Sequence, residues 1–104
     1  MVGAAAGIPV LTGSTPVEPV LLPDGTRVGH ARVLCSAPIW AGLWECEPTS
    51  WTASFDADET IFVVHGAMSL DSVRLAPGEA GFFAKGTTGT MTVEQGFRAW
   101  VVVS

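Results

Sequence analysis

The sequence is short of charge, and above all of positive charge. Lys and Arg number five against ten Asp plus Glu, and charged residues make up only 14% of 104 positions. With a formal charge of −5 there is no basic patch to neutralise phosphates, which removes support for nucleic acid and for anionic membranes as partners. Long apolar runs are missing as well. The longest, such as Trp100 to Val103 or Ile61 to Val64, fall far below the roughly 20 residues that span a bilayer. Cysteine is scarce: Cys35 and Cys46 stand alone, a usage that fits free buried thiols better than a disulfide framework. The opening stretch Met-Val-Gly-Ala-Ala-Ala-Gly-Ile-Pro lacks the positively charged leader of a secretory signal, so a cytoplasmic location is expected.

What is present is apolar and punctuated. Hydrophobic residues are 48% of the chain, so it must bury a core, and at this length one domain is expected. Seven prolines and twelve glycines break any long helix, because proline removes a donor and glycine costs helix stability. Short strands and turns remain, and strands at close spacing with Gly or Pro turns point to an all-β sandwich or barrel.

Residues 1–16 carry no periodicity and read as a flexible or edge-strand arm, leaving 17–104 as the domain. Pro23-Asp24-Gly25 has turn chemistry, and strands are expected over Thr26–Leu34, Ile39–Glu47 and the alternating stretch around Trp51, Ala53 and Phe55. Within the second of these, Trp40, Gly42, Trp44 and Cys46 share one face by the two-residue period of a strand. Thr60–His65, one or two short strands in Ala67–Leu75, then Gly81–Ala84, Thr90–Glu94 and Phe97–Val103 complete the set, with loops at 76–79 and 85–89.

From Gly42 to Val103 the chain resembles the small cupin (RmlC-like) superfamily, and within it cupins similar to ureidoglycine aminohydrolase domains. The phrases Gly-Leu-Trp-Glu-Cys-Glu-Pro, Asp-Glu-Thr-Ile-Phe-Val-Val-His-Gly, Ala-Pro-Gly-Glu-Ala-Gly-Phe-Phe-Ala-Lys-Gly and Phe-Arg-Ala-Trp-Val-Val-Val carry the likeness. It implies a single jelly-roll barrel with a metal site inside, held by three histidines and a glutamate. In the first motif Glu59 and Gly66 stand at the expected spacing, but the histidine places fall on Ala53 and Phe55, or with a longer gap on Thr52 and Ser54. In the second, Gly78 and Gly86 fit, Ala84 replaces the usual proline, and Gly89 stands where the third histidine belongs. Only Glu59 remains of four ligands, and divalent sites need about three or four. His65 shares the strand parity of Glu59, yet six residues at about 3.3 Å each separate them by about 20 Å. No metal and no cofactor are therefore expected.

Glu59 in an apolar barrel should have a raised pKa, which suits a general acid or base near neutral pH. The expected lining is Trp44, Cys46, Trp51, Ala53, Phe55, Met91 and Trp100. Ala53 and Met91 stand where relatives within the resemblance often carry tryptophan, a change that would enlarge the interior. Cys46 has no neighbouring base to make a thiolate and reads as a small hydrophobe. His30, Lys85 and Arg98 read as surface or structural residues, and Asp56 and Asp58 as solvated. Two readings stand side by side: a metal-independent lyase, isomerase or cyclase acting on a small cyclic or planar molecule through Glu59, or a non-catalytic module for a small molecule or a protein partner. The resemblance and the apolar composition together imply a homodimer.

Overall fold

The computed structural model describes residues 7–104 and is all-β, with ten antiparallel strands: β1 (Val17–Leu21), β2 (Arg27–Cys35), β3 (Trp40–Cys46), β4 (Thr49–Ser54), β5 (Glu59–His65), β6 (Met68–Leu70), β7 (Val73–Leu75), β8 (Ala80–Phe83), β9 (Thr88–Val93) and β10 (Phe97–Val103). They form a six-stranded sheet in the order β1-β2-β3-β10-β5-β8 and a four-stranded sheet in the order β4-β9-β6-β7. The two pack face to face as a jelly-roll sandwich. Among the described residues no helix is long and apolar enough to cross a membrane.

Period-two alternation decides what faces inward. In β10 the side chains of Phe97, Ala99 and Val101 are buried while Arg98, Trp100 and Val102 are not, and β3 alternates in step, since Trp44 pairs with Ala99 and Gly42 with Val101. Ile61, Val63, Met68 and Val93 are the largest fully buried side chains, and they tie the two sheets together.

Three features depart from the expectations. Strand β1 was not foreseen; it carries Pro19 and pairs only with β2, at the sheet's edge, where a missing N–H is tolerated. The loop expected at 85–89 is shorter, because Thr88 and Gly89 already pair with β4. His65 does not keep the parity of Glu59. A bulge lets Arg98 pair with His65 and Ala99 with Val63, so Val64 is the extra residue and His65 joins Arg98 on the outer face. Of the arm expected at 1–16, the first six residues lie outside the described ones, and residues 7–16 hold no strand.

Candidate active site in the sandwich interior

The tight turn between β1 and β2 forms one wall of the site. Gly25 adopts φ +88°, its amide donates to the Leu22 carbonyl at 2.8 Å, and the Thr26 amide donates to Asp24 Oδ1 at 2.8 Å. This folds Leu22, Pro23 and Asp24 over the end of the sandwich where β3 begins and β10 ends. Beneath them lies a pocket of about 700 Å³, lined by Val28, Trp40, Trp44, Trp51, Ala53, Phe55, Ile61, Met91, Val101 and Val103, with Asp24, Asp56 and Glu59 as its ionisable groups.

The aromatic walls are held in fixed orientations. The Trp44 indole N–H donates to the Val28 carbonyl at 2.7 Å, and Trp51 stands edge-on to Trp44 with centroids 6.0 Å apart and planes at 71°. Trp40 lies over Gly42, where an added Cβ would come within 2.9 Å of its ring. Phe55 stacks on Phe83 at 5.1 Å, which closes the far side.

Glu59 sits at the start of β5, paired with Phe83 on one side and Val103 on the other. It is half-buried, and among the described residues no side-chain polar atom is left both buried and unpaired. Burial pushes its pKa above the ordinary carboxylate value, and the nearby Asp56 charge pushes it the same way. Such a carboxyl can hold a proton at the edge of an apolar chamber and pass it to a bound molecule.

Of the expected lining residues, the structure brings Glu59, Trp44, Trp51, Ala53, Phe55 and Met91 together around this pocket. Cys46 and Trp100 are corrections. Trp100 is 36% exposed on the outer face of β10, because only the odd-numbered residues of that strand point inward. Cys46 does point inward, but at the opposite end of β3, beside a second recess lined by Arg27, His30, Glu45, Glu47, His65 and Arg98 among others. Its thiol contacts the Glu47 carbonyl at 3.3 Å, and burial, helped by the Glu47 charge, pushes its pKa up to about 11. Native protein at pH 7.5 is therefore expected to leave Cys46 unmodified by iodoacetamide while half-buried Cys35 reacts, as peptide mass spectrometry would read.

Sequence reasoning missed Trp40, Asp24 and Asp56. Trp40 shares the face of Trp44, so its parity was a usable signal. Asp24 reaches the pocket only through the fold of the β1–β2 turn, which no local pattern reveals. Asp58, unlike Asp56, serves the loop: its carboxylate accepts from the Lys85 amide at 2.8 Å.

The positions where the resemblance places metal-binding histidines meet in space. Ala53 and Gly89 are cross-strand partners, and Phe55 follows on the same edge of the chamber that Glu59 faces. The donors do not fit a metal. The pocket offers carboxylates and no imidazole or thiolate, and among the described residues no three His, Cys, Asp or Glu side chains come together to hold an ion. A side chain at position 89 would in addition meet the Asp71 carboxylate, 2.5 Å from the site of its Cβ.

A two-sheet jelly roll with a deep pocket between its sheets is the architecture of the cupins. The EutQ-like cupin domain family matches residues 36–99, well over half of the chain, and the protein belongs to that family. Solved structures agree on the fold. A Rhizobium leguminosarum protein of unknown function is 26% identical over 70% of this chain and 77% of its own, with a TM-score of 0.59. The EutQ protein of Clostridium difficile is 21% identical over 94% of this chain and 76% of its own (TM-score 0.63). An acetylacetone dioxygenase from Acinetobacter johnsonii is 16% identical over 90% and 71% (TM-score 0.71). No curated protein matches the chain. The superfamily expected from the sequence holds, and the family within it is the EutQ-like one.

Proposed function

We propose that this cupin acts without a metal on a small organic molecule bound between its sheets, with Glu59 as general acid or base in a lyase, isomerase or cyclase reaction. The observation that carries this is Glu59 itself: a half-buried carboxyl with raised pKa, set in the wall of an aromatic pocket of about 700 Å³. That volume lies within the usual range for ligand sites, about 300–1,000 Å³. Trp44 and Trp51 offer flat faces to a cyclic or planar substrate.

The test begins with a screen of metabolite mixtures by ligand-observed NMR, followed by mass spectrometry of each bound compound after incubation with the wild type and with Glu59→Gln. Conversion by the wild type and its loss in the variant support the reading. Binding with no conversion would instead make the protein a non-catalytic small-molecule module.

We also propose that the protein is a cytoplasmic homodimer. Its two free thiols suit a reducing compartment. Across the outer face of the larger sheet, Leu43, Trp100 and Phe62 form one cross-strand row, and Val102, Thr60 and Phe82 the next. Phe62, Phe82, Trp100 and Val102 are all exposed. Six strands of four to nine residues, spaced about 4.8 Å apart, give a face of roughly 600 Å² in projection, somewhat below the roughly 800 Å² per partner of a standard interface. Light scattering after size exclusion is expected to give a dimer mass, and Trp100→Glu a monomer. A monomeric wild type would overturn this.

A further inference from the structure

The pocket is sorted by charge. Among its lining residues are three carboxylates and no Lys, Arg or His. The arginines are engaged elsewhere: Arg32 and Arg98 on Glu45, Arg74 on Glu94, and Arg27 on the Gly29 carbonyl. His30 is on Glu45 as well, and His65 and Arg98 line the recess at the opposite end of the sandwich. An anionic ligand would meet no cation in the pocket, only indole N–H and hydroxyl donors beside three carboxyl groups.

The walls add a second preference. Trp40, Trp44 and Trp51 line one chamber, and the Trp44 and Trp51 rings pack edge-on against each other, so a ligand lies against this aromatic wall and meets the ring faces that remain open. The Trp44 N–H is already satisfied by Val28, which leaves that ring its π surface as its remaining means of recognition. Aromatic ring faces attract ammonium groups, more strongly when the contact is desolvated. Asp24 stands at the rim, its pKa held below the usual carboxylate range by the Thr26 amide and then the Thr26 hydroxyl. The net charge of −5 favours the approach of a cation from solution.

We propose that the ligand of this pocket is an organic cation, a protonated or alkylated amine whose charged head sits between the tryptophans and the carboxylates. The inference rests on the reading of the pocket as a ligand site and adds the charge class of its occupant. A cation beside Glu59 favours the ionised carboxylate, so binding in weakly acidic solution releases a proton from Glu59 and leaves it a base. The charged and titratable groups that line this pocket with Glu59 are Asp24 and Asp56, both acids, so neither supplies a competing positive charge.

The experiment is isothermal titration calorimetry of the full chain with choline, its neutral isostere 3,3-dimethyl-1-butanol, and acetate. Choline is expected to bind at least about tenfold more tightly than the isostere, with no acetate binding. In weakly acidic buffers of different ionisation heat, choline binding should show proton release, and Glu59→Gln should abolish that release. Trp51→Leu, a change at a half-buried position that spares the central core, should bring the choline-to-isostere ratio toward one. Equal or tighter binding of the isostere, binding of acetate, or no binding of choline overturns the proposal. If the metabolite screen finds neutral substrates that Glu59 converts, the proposed reaction stands and the charge class fails. If choline binds with the expected preference but no amine is turned over, the charge class stands and the reaction fails.

Discussion

Glu59→Gln is expected to abolish the proposed turnover and yet melt at a higher temperature than the wild type. The catalytic loss should be at least about 100-fold, the usual scale for removing a general acid or base. The gain in stability follows from linkage. The folded-state pKa of Glu59 is raised above its unfolded value, by burial first and Asp56 second. For an acid this means that its contribution to stability is full below the unfolded pKa and is lost as pH rises through the folded one. At pH 8 the wild type holds an ionised, partly desolvated carboxylate beside Asp56, whereas glutamine carries no charge. The variant should therefore melt a few degrees higher at pH 8, and the difference should vanish near pH 4. Glu45 runs the other way. Burial works against its charge, but Arg98 and then His30 outweigh it and lower the pKa, so its contribution is present above the ordinary value and fades as pH falls through the lowered one. Calorimetric melts of both proteins from pH 4 to pH 8 would check this; a variant that is less stable at pH 8 would show that Glu59 serves the fold instead.

Gly29→Ala should destabilise the protein by about 3 kcal/mol or more, a fall of roughly 15 °C in Tm. Gly29 has φ +88°, and a Cβ there would collide with the Glu45 carbonyl oxygen and lie 2.8 Å from the Cα of Cys46. The backbones of β2 and β3 thus approach each other more closely than any side chain permits, and β3 carries Trp44. Gly25 provides the contrast. It has the same φ of +88°, but nothing lies within 4 Å of its would-be Cβ, so Gly25→Asn should cost less than about 1 kcal/mol. Thermal melts of the two variants separate a steric requirement from a purely conformational one; equal losses would refute the close-approach account.

The sheets were largely legible because alternation and turn residues act locally. Phe97–Val103 is a strand in full, and Ala76-Pro77-Gly78-Glu79 turns with Gly78 at φ +87°. The same local logic found Trp44, Trp51 and Phe55, whereas Glu59 was found through the spacing of the cupin motif. Local logic failed mostly where the outcome depends on distant pairing. Trp100 is as apolar as Trp44, yet it shares the outward parity of Arg98 two residues earlier, so here alternation within β10 held a signal that apolarity overrode. Cys46 has the inward parity of Trp44 but lies two residues further along the strand, beyond the reach of the pocket. His65 was misplaced by a single bulge. Asp24 and Asp56 come from loops whose course is set by the whole sandwich.

The contact between Asp71 and Gly89 limits what position 89 can hold. Asp71 sits at φ 52°, and its carboxylate accepts the Thr90 amide at 2.9 Å while filling the space beside Gly89. A side chain at 89 would displace that carboxylate, so an imidazole there requires the Asp71 side chain to swing aside and give up the Thr90 hydrogen bond. Position 89 therefore trades a structural contact for any ligating group, and a histidine there would come at the expense of the strand start that Asp71 holds.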